Sequence, residues 1–97
     1  MSSWKFLSNH ATVLAYIASH PQILAVDIAE AIGVRERTVR RIIADLDADG
    51  YIEKKRVGRS NTYKVKFKAP LRRSIMSGAK VEDLLKNLLP ILEMRKW

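Results

Sequence analysis

Apolar residues recur along the chain with a helical period over most of its length, and with a period of two over one short stretch. After the apolar lead-in Trp4-Lys5-Phe6-Leu7, Ser8 or Asn9 offers the side-chain oxygen that caps a helix start. Val13, Leu14 and Ile17 follow at helical spacing and Pro21 stops the run, which predicts a first helix over His10–Ser19. A second helix, Ala25–Ile32, turns Ile28, Ala29 and Ile32 to one face and ends at Gly33. Beyond Val34 and Arg35, Val39, Ile42, Ile43 and Leu46 repeat at i, i+3, i+4 and i+7, and Gly50 closes a third helix. Two short helices joined across a glycine turn form a helix-turn-helix pattern, although a helical hairpin from a bundle shares that spacing.

The residues after the third helix favour the first reading. Tyr51–Val57 reads as a charged strand and Gly58-Arg59-Ser60-Asn61 as a turn. Thr62–Lys68 alternates strictly, with Tyr63, Val65 and Phe67 on one side and Thr62, Lys64, Lys66 and Lys68 on the other. A β-hairpin directly after a helix-turn-helix is the winged-helix order. Ala69–Lys80 reads as a connector, and a last helix begins near Val81 with Leu84, Leu85, Leu88 and Leu92 on one stripe. Pro90 lies inside that helix and should kink it. The predicted fold is mainly α with a small β-hairpin: a winged helix-turn-helix domain over 1–70, then a connector and C-terminal helix over 71–97.

Composition narrows the chemistry. A chain of 97 residues is one compact domain. It has no cysteine, which excludes disulfides, thiolate metal sites and cysteine nucleophiles. His10 and His20 have no second ligand nearby in sequence, so each reads as a cap or surface residue, and neither metal nor cofactor is expected. The three aspartates Asp45, Asp47 and Asp49 alternate along a helix and do not converge on a cation. No nucleophile–base pair, phosphate-binding glycine loop or paired carboxylate motif appears, so the chain does not read as an enzyme. Its apolar runs are too short to span a bilayer and no signal leader is evident. A cytoplasmic location without membrane association is expected.

Charge changes the picture most. Eighteen Lys and Arg stand against ten Asp and Glu, a net +8 that favours a polyanionic partner. The excess is local. Arg35–Gly50 holds four arginines and four acids, whereas Tyr51–Arg73 holds nine basic residues and one acid. The third helix is therefore neutral and polarised, and the hairpin with its connector carries the whole surplus.

The run IAEAIGVRERTVRRIIADLDADGYI from Ile28 to Ile52, with the wing VGRSNTYKV after it, resembles the MarR/ArsR-like winged helix-turn-helix transcriptional regulators. The likeness is greatest to small bacterial and archaeal members, and WKFLSNHATVL and PLRR extend it over most of the chain. The resemblance implies a homodimeric regulator of double-stranded DNA, its third helix reading the major groove and its wing touching backbone or minor groove. One position departs from the pattern. Where members often carry Ser or Thr to cap the recognition helix and hold a phosphate, this chain has Arg35. Arginine caps poorly, which leaves a direct arginine–phosphate contact as the substitute.

The residue chemistry at these positions suits DNA. On a helical wheel Arg37 and Arg41 lie opposite the apolar stripe, one turn apart, with Thr38 and Arg40 on the flanks. An arginine fork pairs with guanine O6 and N7 or grips phosphate, Thr38 suits a thymine methyl, and Glu36 suits cytosine N4. A solvated face with a Glu36–Arg40 ion pair is the plainer alternative. Because Asp45, Asp47 and Asp49 repel phosphate, the helix should enter a groove by its N-terminal half. On the wing, Lys54, Arg56, Arg59 and Lys64 are candidate phosphate or minor-groove contacts, with Ser60 and Asn61 as hydrogen-bonding partners. Lysines on a hairpin also serve as edge protection. The stripe Leu84, Leu85, Leu88 and Leu92 is either a fourth core helix or a dimer interface, and Trp4 and Phe6 are candidates to pack against it. An architectural DNA binder and a winged-helix module for RNA or protein remain the rival functions, and no effector is visible.

Overall fold

Three helices form where the apolar periodicity puts them. In the computed structural model, which describes residues 6–58, 60–71 and 78–93, α1 spans Asn9–Ser19, α2 Ala25–Ile32 and α3 Glu36–Ala48. Ser8 caps α1, its hydroxyl accepting the Ala11 N–H at 3.2 Å. α3 starts without a side-chain cap: Arg35 is extended, and only its carbonyl is engaged, by the N–H groups of Thr38 and Val39. The other end of α3 is closed twice, by Tyr51 N–H on Leu46 O at 2.9 Å and Gly50 N–H on Asp47 O at 3.2 Å. This double closure requires a left-handed residue between helix and strand, and Gly50 supplies it at φ 82°.

The helices meet through Val13, Ile17, Ile28, Val39 and Ile42, each at most 1% exposed. Burying such a side chain is worth about 1.5–3 kcal/mol, so these five dominate the stability of the helical unit. Ile52 and Val65 extend the same core under the hairpin.

The wing is a two-stranded antiparallel hairpin. β1 (Ile52–Val57) pairs with β2 (Ser60–Val65) in a register running from Ile52 opposite Val65 to Val57 opposite Ser60. Its loop is thus two residues long, shorter than the sequence suggested, and Ser60 and Asn61 belong to β2. Gly58 stands first in that loop at φ 62°, the positive value that tight hairpin turns demand there. β2 also stops early. Past Val65 the partner strand has ended, and Lys66 N–H reaches Tyr51 O at 2.8 Å before Ala69 N–H turns back onto Lys66 O. The alternation at 66–68 therefore has no strand to pair with. On the other edge of β2, Tyr63 N–H donates to Pro21 O at 3.3 Å, which ties the wing to the segment before α2. Three helices followed by this hairpin make a winged helix-turn-helix.

The C-terminal part is laced to the wing base. Leu71 N–H bonds Ala79 O, Val81 N–H bonds Ala69 O, and Glu82 N–H bonds Phe67 O, at 2.8–3.0 Å. The expected single kinked helix is two short ones, α4 (Val81–Leu85) and α5 (Leu89–Glu93). Pro90 accounts for the break: it has no N–H for the Lys86 carbonyl and its ring crowds that carbonyl, yet it fits the first turn of α5. The break divides the leucine stripe. Val81 and Leu85 are 0% and 1% exposed, inside the common core, whereas Leu84, Leu88 and Leu92 are half-buried and Ile91 is 60% exposed. Phe6 is 91% exposed, and Trp4 lies outside the described residues.

Candidate nucleic-acid interface

With Val39, Ile42, Ile43 and Leu46 buried, the helical period turns Arg37 and Arg41 outward on α3, and both are exposed. Neither forms an ion pair among the described residues, so both guanidinium groups keep their donors for a partner. Arg40 differs. Its Nε and Nη2 donate to Glu36 Oε2 at 2.7 and 2.6 Å, the i, i+4 ion pair that the spacing allows. An exposed pair of this kind is worth only a few tenths of a kcal/mol. Its main effect is to hold Arg40 and Glu36 against each other, while Thr38 stays half-buried beside them. Arg35 is exposed at the uncapped start of the helix.

The hairpin register sorts the wing cations. Lys54 lies opposite Tyr63 and Arg56 opposite Asn61, so these four share one face. That face looks onto α3: Arg40, Ala44, Lys54, Asn61 and Tyr63 line one groove between helix and wing. Asn61 Oδ1 is buried there without a hydrogen-bond partner among the described residues. Lys55 and Lys64 occupy the opposite face, exposed, so the positive charge covers both sides of the wing. Arg56 folds over its own turn, its Nε donating to Gly58 O at 3.2 Å. Arg59 lies outside the described residues, and Ser60 is placed only as the first residue of β2.

Two of the lysines are already neutralised. Lys66 Nζ meets Glu53 Oε2 at 2.9 Å and Lys68 Nζ meets Glu82 Oε1 at 3.0 Å. The hydrogen bond from Lys66, then its charge, hold the Glu53 carboxyl below the usual glutamate range, and the nearby Lys64 and Lys55 charges add to this. The sequence points to Lys54 and Lys64 as contacts but does not identify Lys66 and Lys68 as paired. The only signals that separate them are the single acid of the wing, Glu53, and Glu82 in the first turn of α4.

The acidic end of α3 is turned toward α1, where Asp45 Oδ2 meets His10 Nε2 at 2.8 Å. His20 bonds the Ser19 hydroxyl through Nδ1 at 2.9 Å. Among the described residues no group of three or more His, Cys, Asp or Glu could hold a metal ion, and no helix is long and apolar enough to cross a membrane.

No curated protein sequence matches the chain significantly. The MarR family profile does match, over residues 6–60, from the lead-in through all three helices to the first residue of β2. A match covering more than half of the chain, on a three-helix unit with a wing that follows it, means that the chain belongs to the MarR family of DNA-binding transcription regulators.

Proposed function

We propose that the protein is a sequence-specific regulator of double-stranded DNA that acts as a homodimer. The observation that carries this reading is the pairing of two exposed, uncompensated arginines on α3, Arg37 and Arg41, with the uncompensated lysines Lys54, Lys55 and Lys64 of the adjoining wing. The N-terminal half of α3 enters the major groove, where Arg37 and Arg41 read base edges and Thr38 and the Arg40–Glu36 pair border them. Arg35, Lys54, Arg56, Arg59, Ser60, Asn61 and Lys64 hold phosphate or the minor groove. Residues 1–70 contact DNA and 71–97 hold the second copy, through Leu84, Leu88, Leu92 and the exposed Ile91, with Leu85 as the core residue beneath them. Two copies related by a twofold axis present their helices about one DNA turn apart, matching a palindromic operator. Function is occupancy of that operator in the cytoplasm.

Selection of bound fragments from random duplex DNA, followed by salt titration, tests this. A defined palindrome should emerge, and four phosphate contacts per protomer give a slope of log K against log salt of about −7. An equally steep slope with no preferred sequence would instead identify an architectural binder, and preference for RNA or single strands would overturn the reading. Sedimentation should show a dimer at micromolar concentration.

A further inference from the structure

Arg40, Ala44 and Asp47 follow one another along α3 at i, i+4 and i+7, so they form one stripe on the side that faces the wing. A guanidinium and a carboxylate thus start two turns apart, about 10 Å along the axis, and the small Ala44 between them leaves space. The wing bounds that space from the other side with Lys54, Asn61 and Tyr63, while Ala25 of α2 and Ile43 add apolar surface. The result is an open groove of about 270 Å³. An aliphatic cavity of roughly 150 Å³ takes up benzene, so a branched aliphatic chain with two small polar groups fits here.

The groove holds both signs of charge, and they do not neutralise each other. Among the described residues neither Asp47 nor Lys54 forms an ion pair or a side-chain hydrogen bond. Arg40 donates to Glu36 through Nε and Nη2, which leaves the Nη1 donors of its fork. Asn61 adds an acceptor in want of a donor. Its Oδ1 is buried without a hydrogen-bond partner, an unfavourable state that a donor entering the groove relieves once the amide turns toward it. A ligand with a cation alone would answer Asp47 and leave Lys54 facing a like charge, and an anion alone would do the reverse. A small zwitterion matches both walls.

We propose that this groove binds a free α-amino acid with an aliphatic side chain. The ammonium meets Asp47 and the Asn61 carbonyl, the carboxylate meets Lys54 and Nη1 of Arg40, and the side chain lies against Ile43, Ala44 and Tyr63. Lys54 and Asn61 are also assigned to DNA, so this is a site of the DNA-free protein, and it does not depend on that assignment.

The test compares leucine with 3-methylbutylamine, which lacks the carboxylate, and with 4-methylpentanoate, which lacks the amine, on the isotope-labelled full chain without DNA. At millimolar concentration leucine should saturably shift the backbone amides of Ala44, Asp47, Lys54, Asn61 and Tyr63. Each single-charge analogue should bind at least about fivefold more weakly, the loss expected for one partly screened charge-assisted bond. Asp47→Asn should weaken leucine about fivefold and spare 4-methylpentanoate, and Lys54→Gln should weaken leucine equally and spare 3-methylbutylamine. Both side chains are exposed, and the same spectra monitor the folding of the variants. No saturable shift, shifts confined to other regions, an analogue that binds as well as leucine, or full leucine affinity in either variant would each overturn the site.

Discussion

Arg40 and Arg41 are neighbours in sequence with opposite circumstances, and that contrast sets the expected effects of substitution. Arg41 is free of Glu36, so Arg41→Ala should relax discrimination at one base pair by about 1–3 kcal/mol, measured as the affinity ratio of operator to point-mutant sites. Lys54→Ala should weaken all sequences alike and reduce the salt slope by about 0.9 per protomer. Equal losses on specific and random DNA for both substitutions would contradict the division of labour. At the start of α3, Arg35→Ser supplies the missing cap and should raise the unfolding free energy by about 1 kcal/mol in urea, while weakening DNA binding. Glu53 gives a pH dependence of known sign. Its native carboxyl titrates below the ordinary glutamate range, so its contribution to stability is complete above that range and is lost as pH falls through the lowered native value. Lys66→Gln should return the carboxyl titration, followed by NMR, toward the ordinary value.

Among the elements, α2 was legible to the residue because a clean apolar face ends on Gly33, and α3 was legible as a helix, without its bounds, because four apolar positions repeat at helical spacing. The outward direction of Arg37 and Arg41 came with that period. The wing was harder to read. Gly58, Arg59, Ser60 and Asn61 all favour turns, so local preference does not choose a two-residue loop over a four-residue one. The choice is made by the core, which takes both Ile52 and Val65 and thereby fixes them as partners. Because the groove between α3 and the wing depends on that register, the burial of Asn61 Oδ1 had no trace in the sequence. The Lys66 and Lys68 ion pairs were hidden for a similar reason, since they depend on where the chain runs after the strand ends. Pro90 was visible, but its effect was underestimated: with α4 and α5 so short, a kink becomes a break. Pro90→Ala restores an N–H for the Lys86 carbonyl and removes a helix penalty of about 3 kcal/mol. The far-UV helical signal should rise. An unchanged signal would mean that packing of α5 on α1 holds the two helices apart.

For the whole molecule, charge and burial lie at different places. Among the described residues the helical unit holds eleven of the fifteen buried side chains and is close to neutral in α3, while the +8 surplus resides in the wing and connector. Of β1 only Ile52 is buried, and the five residues beyond it toward the tip are exposed. An isolated two-stranded hairpin is marginal in water, so the wing owes its order to its anchored base: Ile52 and Val65 in the core, Tyr63 on Pro21 and Tyr51 on Pro70. Local opening should therefore become easier from base to tip, and amide hydrogen exchange should quicken steadily from Val65 toward Ser60. The consequence concerns entropy. The segment with most of the attraction for a polyanion is also the one with most conformational freedom to lose on contact, so part of that attraction is offset by ordering. A wing stiffened near its tip would then bind more tightly without gaining a single contact.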